Sequence, residues 1–158
     1  NLWIYFVLIM PSTLIINGVP IECINQAAVA YHVPAPLIIS ILGMEGGKVG
    51  SAIANRNGTY DYGPMQINSI WLRKLKPYGV TKEQLQYDPC VNVSVGTWIL
   101  GTRIADSKEL WHGVASYHSY SLPENLRYQT KVSGIYKLLM AYLKQPIMAQ
   151  TNTVKAFA

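Results

Sequence analysis

The spacing of apolar residues predicts a domain built mainly of helices. Downstream of Pro36, apolar positions recur at intervals of three and four residues, which places Glu45 on the same helix face as Ile38 and Ile41. Pro36 suits the first turn of such a helix, and the Gly46-Gly47 pair is expected to end it. A carboxylate is therefore expected at the C-terminal end of an apolar helix face.

Other helices are expected on both sides of this one. They cover residues 23–32, 69–75, 89–104, 108–118 and 123–143, and a short one opens at residue 81. Capping patterns mark the beginnings of three helices: Thr81 with Gln84, Asp88 with Pro89, and Ser121 with Glu124. The helix over residues 89–104 is apolar nearly all round, which is typical of a helix at the centre of a domain.

Between residues 48 and 67 the helical period disappears and turn-forming residues dominate. Short runs here predict a small β-hairpin. Met65 and Ile67 alternate with Gln66 and Asn68, so a strand would direct the two amides to one face and the two apolar side chains into the core. The fold class expected is α+β, mainly α.

The ends of the chain differ from this central domain. Residues 1–21 carry no charge and include an apolar run from Leu2 to Met10, which indicates a secretory signal peptide or an N-terminal anchor. Residues 22–144 are expected to form one domain, and residues 145–158 a flexible tail. Export would place Cys23 and Cys90 in an oxidising compartment, where one disulfide is the simplest arrangement and two buried thiols are the alternative.

Charge and composition narrow the function only a little. The net charge is +5, but the chain has no run of Lys and Arg and no nucleic-acid-binding signature, so we expect no nucleic acid partner. His32, His112 and His118 lack metal-ligand spacing. The chain has 11 tyrosines, a side chain that can stack on sugar rings and hydrogen-bond through its hydroxyl.

Glu45 is the first candidate for chemistry. Desolvation and the negative end of the helix dipole both disfavour its ionised form, and a raised pKa suits a general acid. Cleavage of a glycosidic bond requires such an acid at the leaving oxygen. The polar segment from Asn55 to Ser69 adds amides and an aspartate that suit a ligand rich in hydroxyl and acetamido groups. A helix-end glutamate beside an ordinary polar loop is the alternative.

Five motifs occur in order along the chain: Met44-Glu45-Gly46-Gly47, Asn55-Arg56-Asn57, Asp61-Tyr62-Gly63-Pro64-Met65-Gln66-Ile67-Asn68-Ser69 followed by Trp71, Asp88-Pro89-Cys90-x-Asn92-x-x-x-Gly96-x-x-Ile99-Leu100, and Ala115-x-Tyr117-His118. Together they resemble the lysozyme-like (SLT-type) lytic transglycosylases, most of all the small ones associated with type III and type IV secretion and conjugation systems. The resemblance runs from about Cys23 to Leu139. Gly46, Pro64 and His118 depart from the Ser, Leu and Asn that are usual at these positions in the family.

The resemblance implies a lysozyme-like fold and cleavage of peptidoglycan glycan strands, with Glu45 as the single catalytic acid and base. The muramic acid C6 hydroxyl would attack the anomeric carbon and leave a 1,6-anhydro end. The substrate-binding residues implied are Asp61, Tyr62, Met65, Gln66, Asn68, Tyr117, His118 and Tyr128. No cofactor or metal is implied. We expect a monomer in the periplasm or cell envelope, with components of a secretion or conjugation system as further partners.

Two alternatives remain open at this point. The segment from Asn55 to Ser69 is also similar to animal-type lysozymes, in which the residue matching Asp61 is a second catalytic carboxylate, so Glu45 and Asp61 could act as an acid and nucleophile pair. A protein that binds peptidoglycan without cleaving it is the other alternative.

Overall fold

A computed structural model describes residues 14–145 as a mainly helical domain with two small antiparallel sheets. The strands are β1 (Ile15–Ile16), β2 (Val19–Pro20), β3 (Ala52–Ala54), β4 (Tyr60–Tyr62) and β5 (Ile67–Asn68). The helices are α1 (Ile21–Tyr31), α2 (Ala35–Glu45), α3 (Leu72–Leu75), α4 (Lys82–Tyr87), α5 (Pro89–Ala105), α6 (Leu110–Ala115) and α7 (Leu122–Leu143). Single 3₁₀ turns cover Ser69–Trp71 and Lys76–Tyr78. The α+β, mainly α, fold class is confirmed.

Helix α5 forms the centre of the domain, and α1, α4 and α6 pack around it. Its Val93 and Leu100 side chains are fully buried, as an all-round apolar sequence predicts. Gly96 allows close packing on one side of α5, because a Cβ there would overlap the Met65 side chain. Helix α7 packs against α2 and α6, and so returns the end of the domain to the helix that carries Glu45.

The helix ends follow the capping residues with one exception. Asp88 accepts hydrogen bonds from the Cys90 and Val91 amides, and the capping box of Thr81 with Gln84 is formed. Gly46 ends α2 with a φ of 60°, a conformation that glycine adopts without a steric cost. The capping box expected before α7 does not form. Ser121 does occupy the cap position but makes no side-chain cap bond, and the Glu124 carboxylate pairs with Arg127 instead.

The β-element is larger than the hairpin expected from the sequence. Strands β3, β4 and β5 form a three-stranded antiparallel sheet in that order, with Asp61 opposite both Ile53 and Asn68. The strand expected to begin before Gln66 starts only at Ile67, because Gln66 has a φ of 53° and belongs to the preceding turn. The alternation of burial nevertheless holds, since the Met65 and Ile67 side chains are buried.

An N-terminal hairpin of β1 and β2 packs on the domain. Val19 is fully buried, and the Asn17 side chain donates a 2.7 Å hydrogen bond to the Leu42 carbonyl oxygen in α2. The hairpin falls within residues 1–21, the segment expected to be a leader or anchor. Residues 1–13 of that segment, and residues 146–158 of the expected tail, lie outside the described residues.

A disulfide joins Cys23 in α1 to Cys90 at the start of α5, as expected, with 5.3 Å between the Cα atoms. It links the first helix of the domain to the central one. Within residues 14–145 no single helix is both long and apolar enough to cross a bilayer. By length and composition alone, α1 and α2 taken together would qualify, with a bend of 119° between them.

Candidate active site

A cavity of about 520 Å³ lies between the end of α2, the three-stranded sheet and the loop that follows α6. Glu45 lies on one side of it, and Asn55, Asp61 and Asn68 from the sheet line another part. Tyr117 and His118 complete the lining near α6. The motifs found along the sequence therefore meet around one cavity.

Glu45 is the half-buried carboxylate of this cavity. Burial raises its pKa from 4.5 to about 7, the negative charge of Asp61 adds to this, and a hydrogen bond from Tyr128 opposes it. The Tyr128 hydroxyl donates this bond to Oε1 of Glu45 over 2.8 Å. Because the pKa lies near neutrality, Glu45 can both donate and accept a proton at physiological pH.

Two tyrosines lie near this carboxylate, of which Tyr128 is buried and Tyr117 is partly buried. The Tyr117 hydroxyl donates a 2.6 Å hydrogen bond to the Met65 carbonyl oxygen, and the Tyr128 ring stacks on the His118 ring at 4.9 Å. Burial, together with the charge of Glu45, raises the pKa of both phenols well above their usual range. Both hydroxyls therefore stay protonated and act as hydrogen-bond donors.

Asp61 is held in place by the amides around it. Asn68 Nδ2 donates to one carboxylate oxygen over 2.8 Å, and Asn55 Nδ2 donates to the other over 3.1 Å. Both amides also donate to the Thr59 hydroxyl oxygen. The network fixes the Asp61 carboxylate within β4 and orders the sheet side of the cavity.

The turn before β5 places Gln66 in the cavity. Gln66 Nε2 donates to the Gly63 carbonyl oxygen over 2.9 Å. Buried Asn92 of α5 anchors the same turn: its Nδ2 donates to the Tyr62 and Leu85 carbonyl oxygens, and its Oδ1 accepts from the Met65 amide. Gly63 leaves space for the Asn92 side chain, which a Cβ at that position would overlap.

The structure separates the expected site residues into two groups. The cavity is lined by Glu45, Asp61, Gln66, Asn68, Tyr117 and His118. Tyr62, Met65 and Tyr128 are no more than 7% exposed and do not line it. A role for these three residues in glycan binding stays a prediction. Met65 and Tyr62 act through backbone carbonyl groups, and Tyr128 through its bond to Glu45.

Several lining residues were not among the expected site residues. Trp71, Ile99 and Arg56 line the cavity. They belong to motifs or helices recognised in the sequence, but they were not assigned to the site. Ile99 and Trp71 lie on different elements, and only tertiary packing brings them to the same wall. Asn92 lies on the central helix, and only the folded structure brings it to the Tyr62 and Met65 backbone and to the Leu85 carbonyl oxygen of α4. Within residues 14–145, no cluster of three or more His, Cys, Asp or Glu side chains could hold a metal ion.

Comparison with known protein families shows which family the chain belongs to. The model of the transglycosylase SLT domain matches residues 22–134, which contain every residue discussed above as lining the cavity. The chain belongs to the transglycosylase SLT domain family. It is a peptidoglycan lytic transglycosylase with the lysozyme-like fold of that family. Because its substrate is peptidoglycan, it acts in the cell envelope.

Curated relatives cover most of the chain. Invasion protein IagB of Salmonella typhimurium is 33% identical over 140 residues, which is 85% of this chain and 88% of that protein. Protein IpgF of Shigella flexneri is 30% identical over 129 residues, covering 78% of this chain and 85% of the relative. A peptidoglycan-binding-like protein of Escherichia coli O157:H7 is 28% identical over 129 residues, covering 74% and 77%.

Proposed function

We propose that this transglycosylase cleaves the β-1,4 bond between N-acetylmuramic acid and N-acetylglucosamine without consuming water, and that Glu45 is its only catalytic acid and base. The observation that carries the proposal is the position of Glu45. Its carboxyl group lines the cavity, is desolvated enough to raise its pKa to about 7, and receives a hydrogen bond from Tyr128.

In the first step Glu45 acts as an acid. The protonated carboxyl donates its proton to the glycosidic oxygen, the bond from that oxygen to the anomeric carbon breaks, and positive charge develops on the muramic acid ring. The raised pKa maintains a large protonated fraction at neutral pH. As the carboxylate forms, the hydrogen bond from Tyr128 stabilises its negative charge.

In the second step Glu45 acts as a base. Its carboxylate accepts the proton of the muramic acid C6 hydroxyl while that oxygen bonds to the anomeric carbon. The product is a 1,6-anhydro end, and Glu45 is protonated again for the next cycle. The proton given to the leaving sugar is replaced by the proton of the C6 hydroxyl, so no water is required.

The surroundings of Asp61 fit a residue that shapes the groove. Both of its oxygens accept hydrogen bonds from the side-chain amides of Asn68 and Asn55, which hold the carboxylate on the sheet. We assign Asp61 to holding the sheet side of the groove, where it is part of the substrate-binding surface with Gln66, Asn68, Tyr117 and His118.

The biological setting proposed is local remodelling of the cell wall by a secretion or conjugation apparatus. The name of the Salmonella relative, an invasion protein, is compatible with such a setting. Components of that apparatus would be further partners of the enzyme. For export to the periplasm, we propose that residues 1–21 act as a signal or an anchor. Cleavage before Leu14 would leave the β1–β2 hairpin attached to the domain, and N-terminal sequencing of the mature protein tests this position.

The decisive experiment for the reaction is muropeptide analysis of purified sacculi after digestion. The proposal predicts anhydro ends from the unmodified enzyme. Reducing ends would instead favour the lysozyme-type reaction with Glu45 and Asp61. Binding to sacculi with no release of muropeptides would mean that this chain only binds peptidoglycan.

A further inference from the structure

A second, smaller cavity of about 290 Å³ lies beyond the catalytic one, at the C-terminal end of α5. Arg103, Ser107, His112 and Tyr120 contribute to its lining. The guanidinium carbon of Arg103 lies 5.2 Å from the centre of the Trp71 ring, and Trp71 lines the catalytic cavity. The same carbon lies 4.7 Å from the centre of the Tyr120 ring, and Tyr120 lines the second cavity. Arg103 therefore lies at the junction of the two cavities.

The hydrogen-bonding state of Arg103 points to a missing partner. Its Nε atom is buried and has no hydrogen-bond partner, and no acidic side chain in residues 14–145 forms an ion pair with it. A buried guanidinium donor without an acceptor is costly, and planar carboxylates are its best-matched acceptors. Stacking on two rings explains how the group is held, but not why its donor is left without an acceptor.

The charges around Arg103 narrow the class of ligand. Lys74 lies 5.7 Å from the centre of the Trp71 ring, so two cations flank that ring. The second cavity also contains Lys108 together with Asp106 and Glu109. Both signs of charge are therefore present, which suits a ligand with carboxylate and ammonium groups better than it suits a polyanion.

We propose that this second cavity is a subsite for the peptide attached to muramic acid, with Arg103 binding one of its carboxylates. The peptide is the zwitterionic part of peptidoglycan, whereas the glycan backbone carries no ammonium group. The inference rests on the proposed function, because it assumes that a glycan strand occupies the neighbouring catalytic cavity. It makes Arg103 a residue that selects peptide-bearing strands over bare ones.

The test compares two forms of one substrate: glycan strands that carry their peptides, and the same strands after an amidase has removed them. For Arg103→Gln we expect kcat/KM to fall about ten-fold on peptide-bearing strands, mainly through KM, and to be unchanged on peptide-free strands. Tyr120→Leu removes a ring that is 60% exposed, and should lower the preference for peptide-bearing strands in the same direction. Arg127→Gln is the charge-matched control, because Arg127 is an exposed arginine that lines neither cavity.

Each outcome decides the proposal. An unmodified enzyme without a preference for peptide-bearing strands would overturn it, as would an Arg103→Gln loss that is equal on both substrates. The Tyr120→Leu variant gives a separate reading if Arg103→Gln does not fold. If the unmodified enzyme cleaves neither substrate, the proposed function fails. In that case the subsite is tested by binding. The affinity of Arg103→Gln and of the unmodified protein is measured for peptide-bearing and for peptide-free strands. An equal loss of affinity for the two kinds of strand in Arg103→Gln would overturn the proposed subsite.

Discussion

The Tyr128 hydroxyl donates a hydrogen bond to Oε1 of Glu45 across 2.8 Å, although the two residues are 83 positions apart in the chain. Helix α7 is thereby joined to the end of α2 at the carboxylate proposed to be catalytic. The bond favours the charged form of Glu45, whereas burial disfavours it, and burial has the larger effect. This balance sets the proton affinity of the carboxylate.

Replacing Tyr128 should therefore shift the pH dependence of catalysis. Without the donated bond the Glu45 carboxylate is less stable, so its pKa rises further above 7. In Tyr128→Phe, the loss of kcat/KM on the alkaline side should move to higher pH, and kcat should fall because the carboxylate that forms in the first step is less stabilised. A pH–rate profile measures both effects. Tyr78→Phe, at a tyrosine that is 76% exposed, is the matched control, and a Tyr128→Phe profile identical to it would contradict the assigned role.

The charge of Glu45 should also affect folding stability. Its pKa is about 7 in the folded state and 4.5 in the unfolded state, so the folded protein binds the proton more tightly. The stabilisation is full below pH 4.5 and is lost as the pH rises to about 7, by up to about 3 kcal/mol. Urea unfolding at pH 5 and pH 8 should show this loss in the unmodified protein but not in Glu45→Gln. An equal change in the two proteins would mean that the pKa is not raised.

Substitution of Asp61 separates the two proposed reactions. In Asp61→Asn the local amide network loses part of its bonding, and the free energy of unfolding should fall by about 1–3 kcal/mol. If Asp61 only holds the groove, the folded variant retains at least about a tenth of the activity. A nucleophile would be indispensable, and its loss would cost about 10³-fold or more. Muropeptide release at saturating enzyme distinguishes these outcomes.

Asn92 should be among the most sensitive positions for stability. Asn92→Ala removes three buried hydrogen bonds and leaves two carbonyl oxygens and an amide unpaired, so we expect a loss of about 3–5 kcal/mol. Urea denaturation measures this loss. Ser133→Ala, at a partly exposed position of α7, should change the unfolding free energy by no more than about 0.5 kcal/mol. Comparable effects of the two substitutions would show that Asn92 does not anchor the β4–β5 turn.

The disulfide should stabilise the domain substantially. It closes a loop over a sequence separation of 67 residues, and its removal by Cys23→Ser with Cys90→Ser should cost up to about 4 kcal/mol. Urea unfolding of the unmodified protein with reductant should give the same loss. No shift in the unfolding midpoint in either case would contradict a stabilising bridge.

The sequence predicted best what is local. The helix ending at Gly46 and the caps at Thr81 and Asp88 depend on neighbouring residues, so their patterns are visible along the chain. Capping was less predictable before α7, where the same pattern at Ser121 forms no side-chain bond.

What the sequence did not reveal depends on distant contacts or unusual backbone conformations. Tyr128 could be assigned to the site, but not its bond to Glu45. The φ of 53° at Gln66 interrupts the expected strand, since a non-glycine residue gives no local sign of that conformation. The β1–β2 hairpin lies in an uncharged apolar segment, where a leader and a buried hairpin look alike. The position of Arg103 between Trp71 and Tyr120 is set by tertiary packing alone.

The central claim is that Glu45 alone performs acid and base catalysis without water. Mass spectrometry of muropeptides released from purified sacculi, by the unmodified enzyme and by Glu45→Gln side by side, tests it most directly. We predict 1,6-anhydro ends from the unmodified enzyme, and a release at least about 10²–10⁴-fold slower from the folded variant. Reducing ends from the unmodified enzyme, or undiminished release by Glu45→Gln, would contradict the claim.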